Sequence, residues 1–206
     1  MRDHEYALLG GQNRATIGRW VASLSALISG GLVFLLLSAV NLAERVGLDV
    51  NLPPSILSLV GAGTIYAVLY WIFDKHVWKW SHAAKLLKVP NLAGKWDCEG
   101  TPLSNDKAIA WRGTMTIVQS WDKIYVHVST DNSTSHSIAA ALVFDTAEGY
   151  RLLYHYRSEP RLAKNDMAPH HGFAELVFEA GELTGSGEYF NGRGRNSFGT
   201  MKIARC

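Results

Sequence analysis

The first third of the chain is apolar in two long blocks, and the remainder alternates between apolar and polar positions. The blocks cover residues 20–43 and 54–73, and neither contains Lys, Arg, Asp, Glu or His. Each approaches the roughly 20 apolar residues that a helix needs to cross a bilayer. A polar interval that ends in Pro53-Pro54 separates the blocks, and proline cannot continue a helix. We therefore predict a two-helix transmembrane hairpin over residues 20–73.

The charges around the hairpin predict its orientation. Residues 1–19 are polar and place Arg14 and Arg19 next to the first block, and lysines follow the second block. The connecting loop has a single positively charged residue, Arg45. Because positively charged flanks stay on the cytoplasmic side, both termini of this multi-pass protein are predicted to be cytoplasmic. A secretory signal is disfavoured because the first block is too long and a second block follows it.

Residues 74–91 form a basic connector between the hairpin and the rest of the chain. Within residues 74–95, five lysines stand against a single aspartate. Lysines suit anionic lipid headgroups, and Trp78 and Trp80 suit the aromatic belt at a membrane surface. We predict a connector helix that ends at Pro90, because proline disfavours helical conformation in the residue before it.

Alternation replaces the helical period from residue 94 onward, and this predicts a β domain over residues 92–206. No helix-period segment intervenes, so parallel βαβ units are not expected. We predict an eight-stranded antiparallel up-and-down β-barrel, since closure removes exposed sheet edges, and hence a membrane-anchored all-β protein; a β-sandwich is the alternative. The predicted strands are residues 94–100, 108–120, 123–130, 134–145, 150–157, 171–179, 182–191 and 198–205.

Several strand faces are small or polar where a solid core would be bulky. Tyr154 and Tyr156 share one face of the fifth predicted strand, and two glycines leave space on the face of the seventh that carries Tyr189. Ser133 and Ser135 alternate at the start of the fourth strand. Such faces favour a pocket for a planar, polar ligand, and tapered packing inside a small barrel is the alternative.

Two arginines are candidate phosphate ligands. Arg193 and Arg195 lie in a glycine-rich turn after Tyr189-Phe190. Guanidinium groups make charge-assisted, often bidentate bonds to phosphate, and aromatic rings beside them can stack on bases. A solvated hairpin tip is the alternative for the glycine-rich turn.

The remaining composition argues against several classes of protein. From residue 96 onward, 11 Lys and Arg stand against 13 Asp and Glu, so general binding of DNA or RNA is not expected. Cys98 and Cys206 fit neither a metal motif nor a disulfide framework, so free thiols are expected. The sequence has no hydrolase, phosphate-loop, zinc or dinucleotide motif, so we expect no enzyme, cofactor or metal; a His155–Asp166 pair is the remaining catalytic alternative.

The order of these features resembles a family of bacterial anti-phage effectors. After the paired spans and the basic connector come Gly94-Lys95-Trp96-Asp97-Cys98, Ile117-x-Gln119, Leu152-x-Tyr154-x-Tyr156, His171-Gly172 and Gly187-x-Tyr189-Phe190-x-x-Arg193. This arrangement is similar to the CBASS (CD-NTase-associated) effectors in which two transmembrane helices precede a cyclic-oligonucleotide-sensing β-barrel. The likeness covers nearly the whole chain.

The resemblance implies a function and roles for residues. A partner CD-NTase would make a cyclic di- or trinucleotide, foremost a cyclic dinucleotide, and the cytoplasmic barrel would bind it. The protein would then form homo-oligomers, disrupt the bacterial inner membrane and kill the infected cell. Base stacking would fall to Tyr154, Tyr156 and Tyr189, phosphate binding to Arg157, Arg193 and Arg195, and hydroxyl donation to Ser133 and Ser135.

A tethered barrel without a killing role is the alternative function. The strand start Gly94-x-Trp96 also fits lipocalin-like barrels, which bind a lipid, haem or a metabolite. An apolar lining and no response to cyclic nucleotides would favour that function. A purely structural anchor is the third interpretation.

Overall fold

The computed structural model divides the chain into a helical unit and a sheet unit. Residues 12–77 form the helical unit, whereas the N-terminal residues up to Gly11 and residues 78–206 together form the sheet unit. The structure describes residues 3–48, 53–103, 110–147, 149–161, 168–179, 181, 183–192 and 196–206.

The helical unit holds two helical stretches that are long and apolar enough to cross a membrane. The first is α1 (Arg14–Arg45), which begins where the Asn13 side chain accepts a hydrogen bond from the Ala15 amide at 2.8 Å. The second is divided into α2 (Pro54–Leu59) and α3 (Ala62–Lys75). The prediction of two apolar helices at the N-terminal side of a β domain is confirmed.

The interruption between α2 and α3 frees a backbone carbonyl, and a side chain of α1 satisfies it. The Ser29 hydroxyl donates a hydrogen bond to the Val60 carbonyl oxygen at 2.6 Å, and α1 packs against α3. An unpaired carbonyl would be costly in lipid because no water is available to bond it. Ser29 therefore stabilises the interrupted second helix.

The connector between hairpin and sheet is divided, in contrast to the single helix predicted over residues 74–91. A 3-10 turn covers Val77–Lys79, and α4 covers Ser81–Leu87. Lys88 then takes a left-handed conformation with φ of 56°, which ends α4 two residues before Pro90. Proline explains where the helix stops, because the residues next to it cannot stay helical.

Nine strands lie within the described residues of the sheet unit. They are β1 (His4–Leu9), β2 (Gly94–Pro102), β3 (Trp111–Gln119), β4 (Lys123–Thr130), β5 (Ser133–Asp145), β6 (Gly149–Pro160), β7 (His170–Phe178), β8 (Thr184–Asn191) and β9 (Ser197–Arg205). The hydrogen-bonded order is β1-β4-β3-β2-β9-β8-β7-β6-β5, and it closes into a barrel because β1 also pairs with β5.

The predicted number of eight strands was wrong, because a ninth strand comes from the segment before the hairpin. The strands β2 to β9 correspond to the eight predicted ones, and all pairings among these eight are antiparallel. The additional strand, β1, pairs antiparallel with β4 over two residues and parallel with β5 over four, so the barrel is not purely up-and-down. With six residues, three of them ionisable, β1 is too short for alternation to reveal it.

β1 fills a fork between β4 and β5. These two strands pair directly over only three residues each, and beyond those residues both pair with β1. On its other side, β5 has a β-bulge against β6 between Ser137 and Ala139. The Ser137 hydroxyl accepts a hydrogen bond from the Val126 amide at 2.9 Å and lies 2.8 Å from Nε2 of His4. Ser137 thus joins all three strands at the point where the fork opens.

The barrel interior changes from apolar to polar along its length. We name the two ends after inward residues: β3 ends and β4 begins at the Gln119 end, whereas β2 ends and β3 begins at the Tyr156 end. Bulky apolar side chains fill the Gln119 end, whereas aromatic rings together with small and polar side chains line the Tyr156 end. The fully or almost fully buried side chains towards the Gln119 end include Trp96, Trp121, Ile124, Leu142, Leu152 and Phe178.

Alanine substitutions at Leu152 and Leu153 test which face of β6 points inward. Leu152 is fully buried, whereas Leu153 is half-buried on the outer face. We expect Leu152→Ala to lower the free energy of unfolding by about 2–5 kcal/mol because it leaves a cavity. Leu153→Ala is the matched control and should cost less than half as much. Thermal unfolding of the full-length protein in detergent, followed by tryptophan fluorescence, measures both; equal losses would contradict the inward face assigned to β6.

Candidate ligand-binding site

The Tyr156 end is polar because several strands place short hydroxyl and amide side chains on inward positions. Alternation along β6 turns Tyr156 and Ser158 inward. Directly opposed residues of an antiparallel pair share a face, so Ser135, opposite Ser158, also points inward, as does Ser133 two residues before it. The inward polar residues contributed by β5, β6, β8 and β9 include Ser133, Ser135, Ser137, Ser158, Asn191 and Ser197.

Three aromatic side chains at this end each lie over a glycine of the neighbouring strand. A Cβ atom on any of these glycines would come too close to the aromatic side chain opposite it; at Gly199, for example, it would lie 2.8 Å from the Tyr189 hydroxyl. Glycine therefore lets each ring rest against the barrel wall, where any other residue would push it towards the centre. The pairs are Tyr156 with Gly172, Trp111 with Gly100, and Tyr189 with Gly199.

Hydrogen bonds fix the orientation of these rings. The Tyr156 hydroxyl donates to Oδ1 of Asn191 at 2.9 Å, and Nδ2 of Asn191 donates to the Ser197 hydroxyl at 2.9 Å. Nε1 of Trp111 donates to the Tyr189 hydroxyl at 3.1 Å, and the two rings meet edge to face. The result is a preorganised set of aromatic faces next to amide and hydroxyl groups, the combination that recognises nucleobases.

Tyr154 lies below this set, deeper in the barrel. Its side chain is only 3% exposed, and its ring centroid is 5.8 Å from that of Tyr156. Burial, together with nearby Cys98 and Tyr156, raises the pKa of Tyr154 well above its ordinary value. Burial likewise raises the pKa of the Cys98 thiol to about 12, with a smaller contribution from Glu99. Both groups are therefore neutral near pH 7, and Cys98 behaves as a small core residue.

The structure brings together only part of the predicted site. Tyr156, Tyr189, Ser133 and Ser135 face the interior at the Tyr156 end, with Tyr154 beneath them.

Arg157 does not belong to this group. It lies on the outer face of β6, half-exposed, and its Nε is 3.1 Å from a carboxylate oxygen of Glu159 on the same face. The reason is strand alternation, which turns Arg157 outward because Tyr156 points inward. The other two predicted phosphate ligands, Arg193 and Arg195, lie outside the described residues.

Trp111, Asn191 and Gly172 belong to this end of the barrel but were not predicted as site residues from the sequence. Trp111 was predicted to lie inside a longer strand over residues 108–120, whereas it begins β3 at the rim of the barrel. A signal was available in the glycines, because an aromatic residue and a glycine at opposed positions of adjacent strands form a recurring cross-strand pair. Recognising such a pair requires the register between the two strands, which could not be read from the sequence.

The described residues do not show the catalytic pair of His155 and Asp166 that was the alternative prediction. His155 is exposed on the outer face of β6, with its ring centroid 5.3 Å from that of His171, and Asp166 lies outside the described residues. Within the described ranges, no group of three or more His, Cys, Asp and Glu residues could hold a metal ion.

Two family models match the two units of this chain. The model described as Cap15, cyclic dinucleotide receptor domain, matches residues 87–205, and the model described as Cap15, TM helices, matches residues 15–79. The CD-NTase-associated protein 15 of Yersinia aleksiciae is 40% identical over 205 residues, which cover 100% of this chain and 98% of that protein. The chain belongs to the Cap15 family.

Membership of the Cap15 family confirms the resemblance to CBASS effectors. It assigns the chain to antiviral defence, with a cyclic dinucleotide receptor domain and membrane-associated helices. The receptor domain of the Cap15 family spans β2 to β9 and therefore includes the whole of the Tyr156 end. Neither matched region includes β1, which precedes both.

Gly172→Ala tests whether the glycine behind Tyr156 is needed for the position of its ring. The added methyl group would overlap the ring, so we expect the free energy of unfolding to fall by about 1–3 kcal/mol. Gly192→Ala is the matched control, because a Cβ there would meet only the His171 carbonyl oxygen at 4.0 Å. Thermal unfolding in detergent measures both variants. A Gly172→Ala protein as stable as the control would contradict the packing of Tyr156 on Gly172.

Proposed function

We propose that this chain is a CBASS effector whose sheet unit binds a cyclic dinucleotide inside the barrel, at the Tyr156 end. The observation that carries the proposal is the contrast between the two ends within the matched receptor domain. The Gln119 end is filled by buried apolar side chains, whereas aromatic, hydroxyl and amide groups line the Tyr156 end. A ligand with two bases and two phosphates needs flat aromatic faces and several hydrogen-bonding groups.

Base stacking is assigned to Tyr156, Tyr189 and Trp111. Each ring has a glycine behind it, so one face rests on the barrel wall and the other is turned towards the interior. Stacking of a base on an aromatic side chain is worth about 1–3 kcal/mol. Tyr154 supports this layer from below, through its contact with the Tyr156 ring.

The polar contacts of the ligand are assigned to Ser133, Ser135 and Asn191. Hydroxyl groups both donate and accept, and an amide offers both kinds of group to a base edge. Phosphate binding is assigned to Arg193 and Arg195, which come two and four residues after Asn191 in the sequence. Arg157 is left out of the proposed site because it lies on the outer face, paired with Glu159.

Ligand binding would act on the membrane by driving homo-oligomerisation. A ligand shifts such an equilibrium only if it binds the assembled state more tightly than the monomer. Close approach of helices from different protomers needs small residues. A Cβ at Gly30 or Gly63 would meet no described atom within 4 Å, so these glycines are not used to pack α1 against α3. Assembly of the helices would then disrupt the inner membrane and kill the infected cell.

The cellular setting follows from the same proposal. Both termini lie in the cytoplasm, where a partner CD-NTase would release the cyclic dinucleotide, and the basic connector faces the same leaflet. Signalling of this kind needs no cofactor, no DNA or RNA and no catalytic step by this chain. The polar lining of the Tyr156 end disfavours the alternative of a lipid-binding barrel.

Adjacent residues of β6 supply the test of the site. The full-length protein in detergent would be titrated calorimetrically with cyclic di-AMP, cyclic di-GMP, cyclic di-UMP and cyclic GMP-AMP. For the member that binds, Tyr156→Ala should weaken affinity by about 5- to 100-fold, the loss of one stacked base. Arg157→Ala is the control and should change affinity less than twofold.

Two results would overturn the proposed function. Binding that is lost in Arg157→Ala but kept in Tyr156→Ala would place the ligand on the outer wall. Absence of binding to every member of the panel, by a protein with the unfolding temperature of a folded barrel, would remove the cyclic dinucleotide itself.

A further inference from the structure

The chain enters and leaves the helical unit through two segments of the sheet unit. β1 ends at Leu9, five residues before α1 begins, and the segment 88–93 links α4 to β2. While β1 is paired in the sheet, the residues that lead into α1 begin at the barrel wall.

The side chain of Gln119 fastens both segments. It is buried at the end of the barrel, where its Oε1 accepts a hydrogen bond from the Leu92 amide at 2.8 Å. Its Nε2 donates to the Pro90 carbonyl oxygen at 3.1 Å and lies 3.5 Å from the Tyr6 hydroxyl of β1. A buried amide that loses such partners costs free energy, so the bonds of Gln119 favour one arrangement of the two segments.

β1 has the fewest backbone pairs of the described strands in the barrel. It is held by two antiparallel pairs with β4 and four parallel pairs with β5. The ladders among β2 to β9 have seven to twelve pairs each, apart from the three direct pairs between β4 and β5. Parallel pairing is slightly weaker per residue than antiparallel pairing. Gly10 follows with φ of 77°, a left-handed conformation that gives the chain a sharp turn immediately after the strand. β1 is therefore the strand that can leave the sheet at the lowest cost.

The fork that β1 fills lies next to the proposed ligand site. Ser137, which bonds His4 and the Val126 amide, is two residues from Ser135 on the inner face of β5 and directly opposite Tyr156 of β6. A ligand that contacts Ser135 and Tyr156 therefore touches β5, which forms one side of the fork, and the strand β6 paired with it. A change in the separation of β4 and β5 at this point would act on His4 first.

We propose that β1 is a coupling strand: ligand binding at the Tyr156 end opens the fork at Ser137, releases β1 from the sheet and thereby frees the start of α1. Gln119 is the positioning residue that holds β1 and the segment 88–93 in the unliganded arrangement. This inference rests on the proposed function, since it needs a ligand in the barrel. It adds a specific element that carries the signal from barrel to hairpin.

A reversible cross-link tests the proposal in the full-length protein. Glu5 of β1 is directly opposite Lys123 of β4, and both side chains are exposed. In a Cys206→Ser background, Glu5→Cys with Lys123→Cys would pin β1 when oxidised. Thr101→Cys with Thr200→Cys is the matched control, because this exposed, directly opposed pair pins β2 to β9 instead.

The readout is dye release from phosphatidylethanolamine–phosphatidylglycerol vesicles that carry the protein. It uses the cyclic dinucleotide of the panel that binds most tightly, and affinity is measured in parallel. We expect the oxidised β1 cross-link to lower ligand-driven release at least tenfold, with affinity unchanged within about threefold. Reduction should restore release, and the control cross-link should leave it intact. Equal release from the oxidised and reduced forms of the β1 variant would overturn the proposal.

Hydrogen exchange separates failure of the coupling from failure of the proposed function. With ligand, amides of residues 4–9 should exchange at least tenfold faster while those of β5 and β6 near Tyr156 become protected. Protection at the site with unchanged exchange in β1 would overturn the coupling alone. No protection with any member of the panel would overturn the proposed function, and the coupling with it.

Gln119→Leu tests the fastening without any ligand. Leucine has a similar size but cannot bond Leu92, Pro90 or Tyr6, so amides of residues 4–9 should exchange at least tenfold faster in the unliganded variant. Exchange in β7 and β8 serves as the check on folding. Unchanged exchange in β1 of a folded variant would remove Gln119 from the proposal.

Discussion

Closure of the backbone ladder is the constraint on which the sheet unit depends. An open barrel would expose two unpaired strand edges, and here β4 and β5 pair directly over only three residues each. Beyond those residues, the two edges are paired by a six-residue strand from the other side of the hairpin. Closure therefore ties the receptor domain to the segment that precedes the first apolar helix. Sensor and anchor are interleaved in the sequence, although they form separate units in space.

The two ends of the barrel interior serve different purposes: one stabilises the fold, and the other offers groups that can bind a ligand. Stability comes from the Gln119 end, where Trp96 and Trp121 are fully buried and Nε1 of Trp96 donates to the Leu92 carbonyl oxygen at 3.0 Å. The Tyr156 end contributes less apolar burial, because serine, asparagine and glycine occupy its inward positions. Aromatic rings over glycines recover packing there while keeping flat faces towards the interior. Pairing of Tyr156 with Asn191 and of Trp111 with Tyr189 then fixes those faces before any ligand arrives.

The local pattern of apolar and polar residues predicted most of the fold, but only part of the candidate site. The apolar blocks and the alternation of β2 to β9 were sufficient to predict two helices and eight strands, and β4 has the predicted bounds. Strand parity placed Tyr156 inward, and the same parity excludes Arg157 from the interior. β1 escaped prediction because a strand of six residues gains its stability from the slot it fills. Trp111 escaped because its partner Gly100 is set by register, a property of two strands together.

The central claim is that the ligand binds inside the barrel at the Tyr156 end. A structure of the full-length protein with its cyclic dinucleotide tests this most directly. The account predicts the ligand inside the barrel, with a base against Tyr156 or Tyr189 and polar contacts to Asn191, Ser133 or Ser135. Density for β1 in the fork between β4 and β5 should then be lost. A ligand on the outer wall, near Arg157, or in an interface that leaves the Tyr156 end untouched would contradict it.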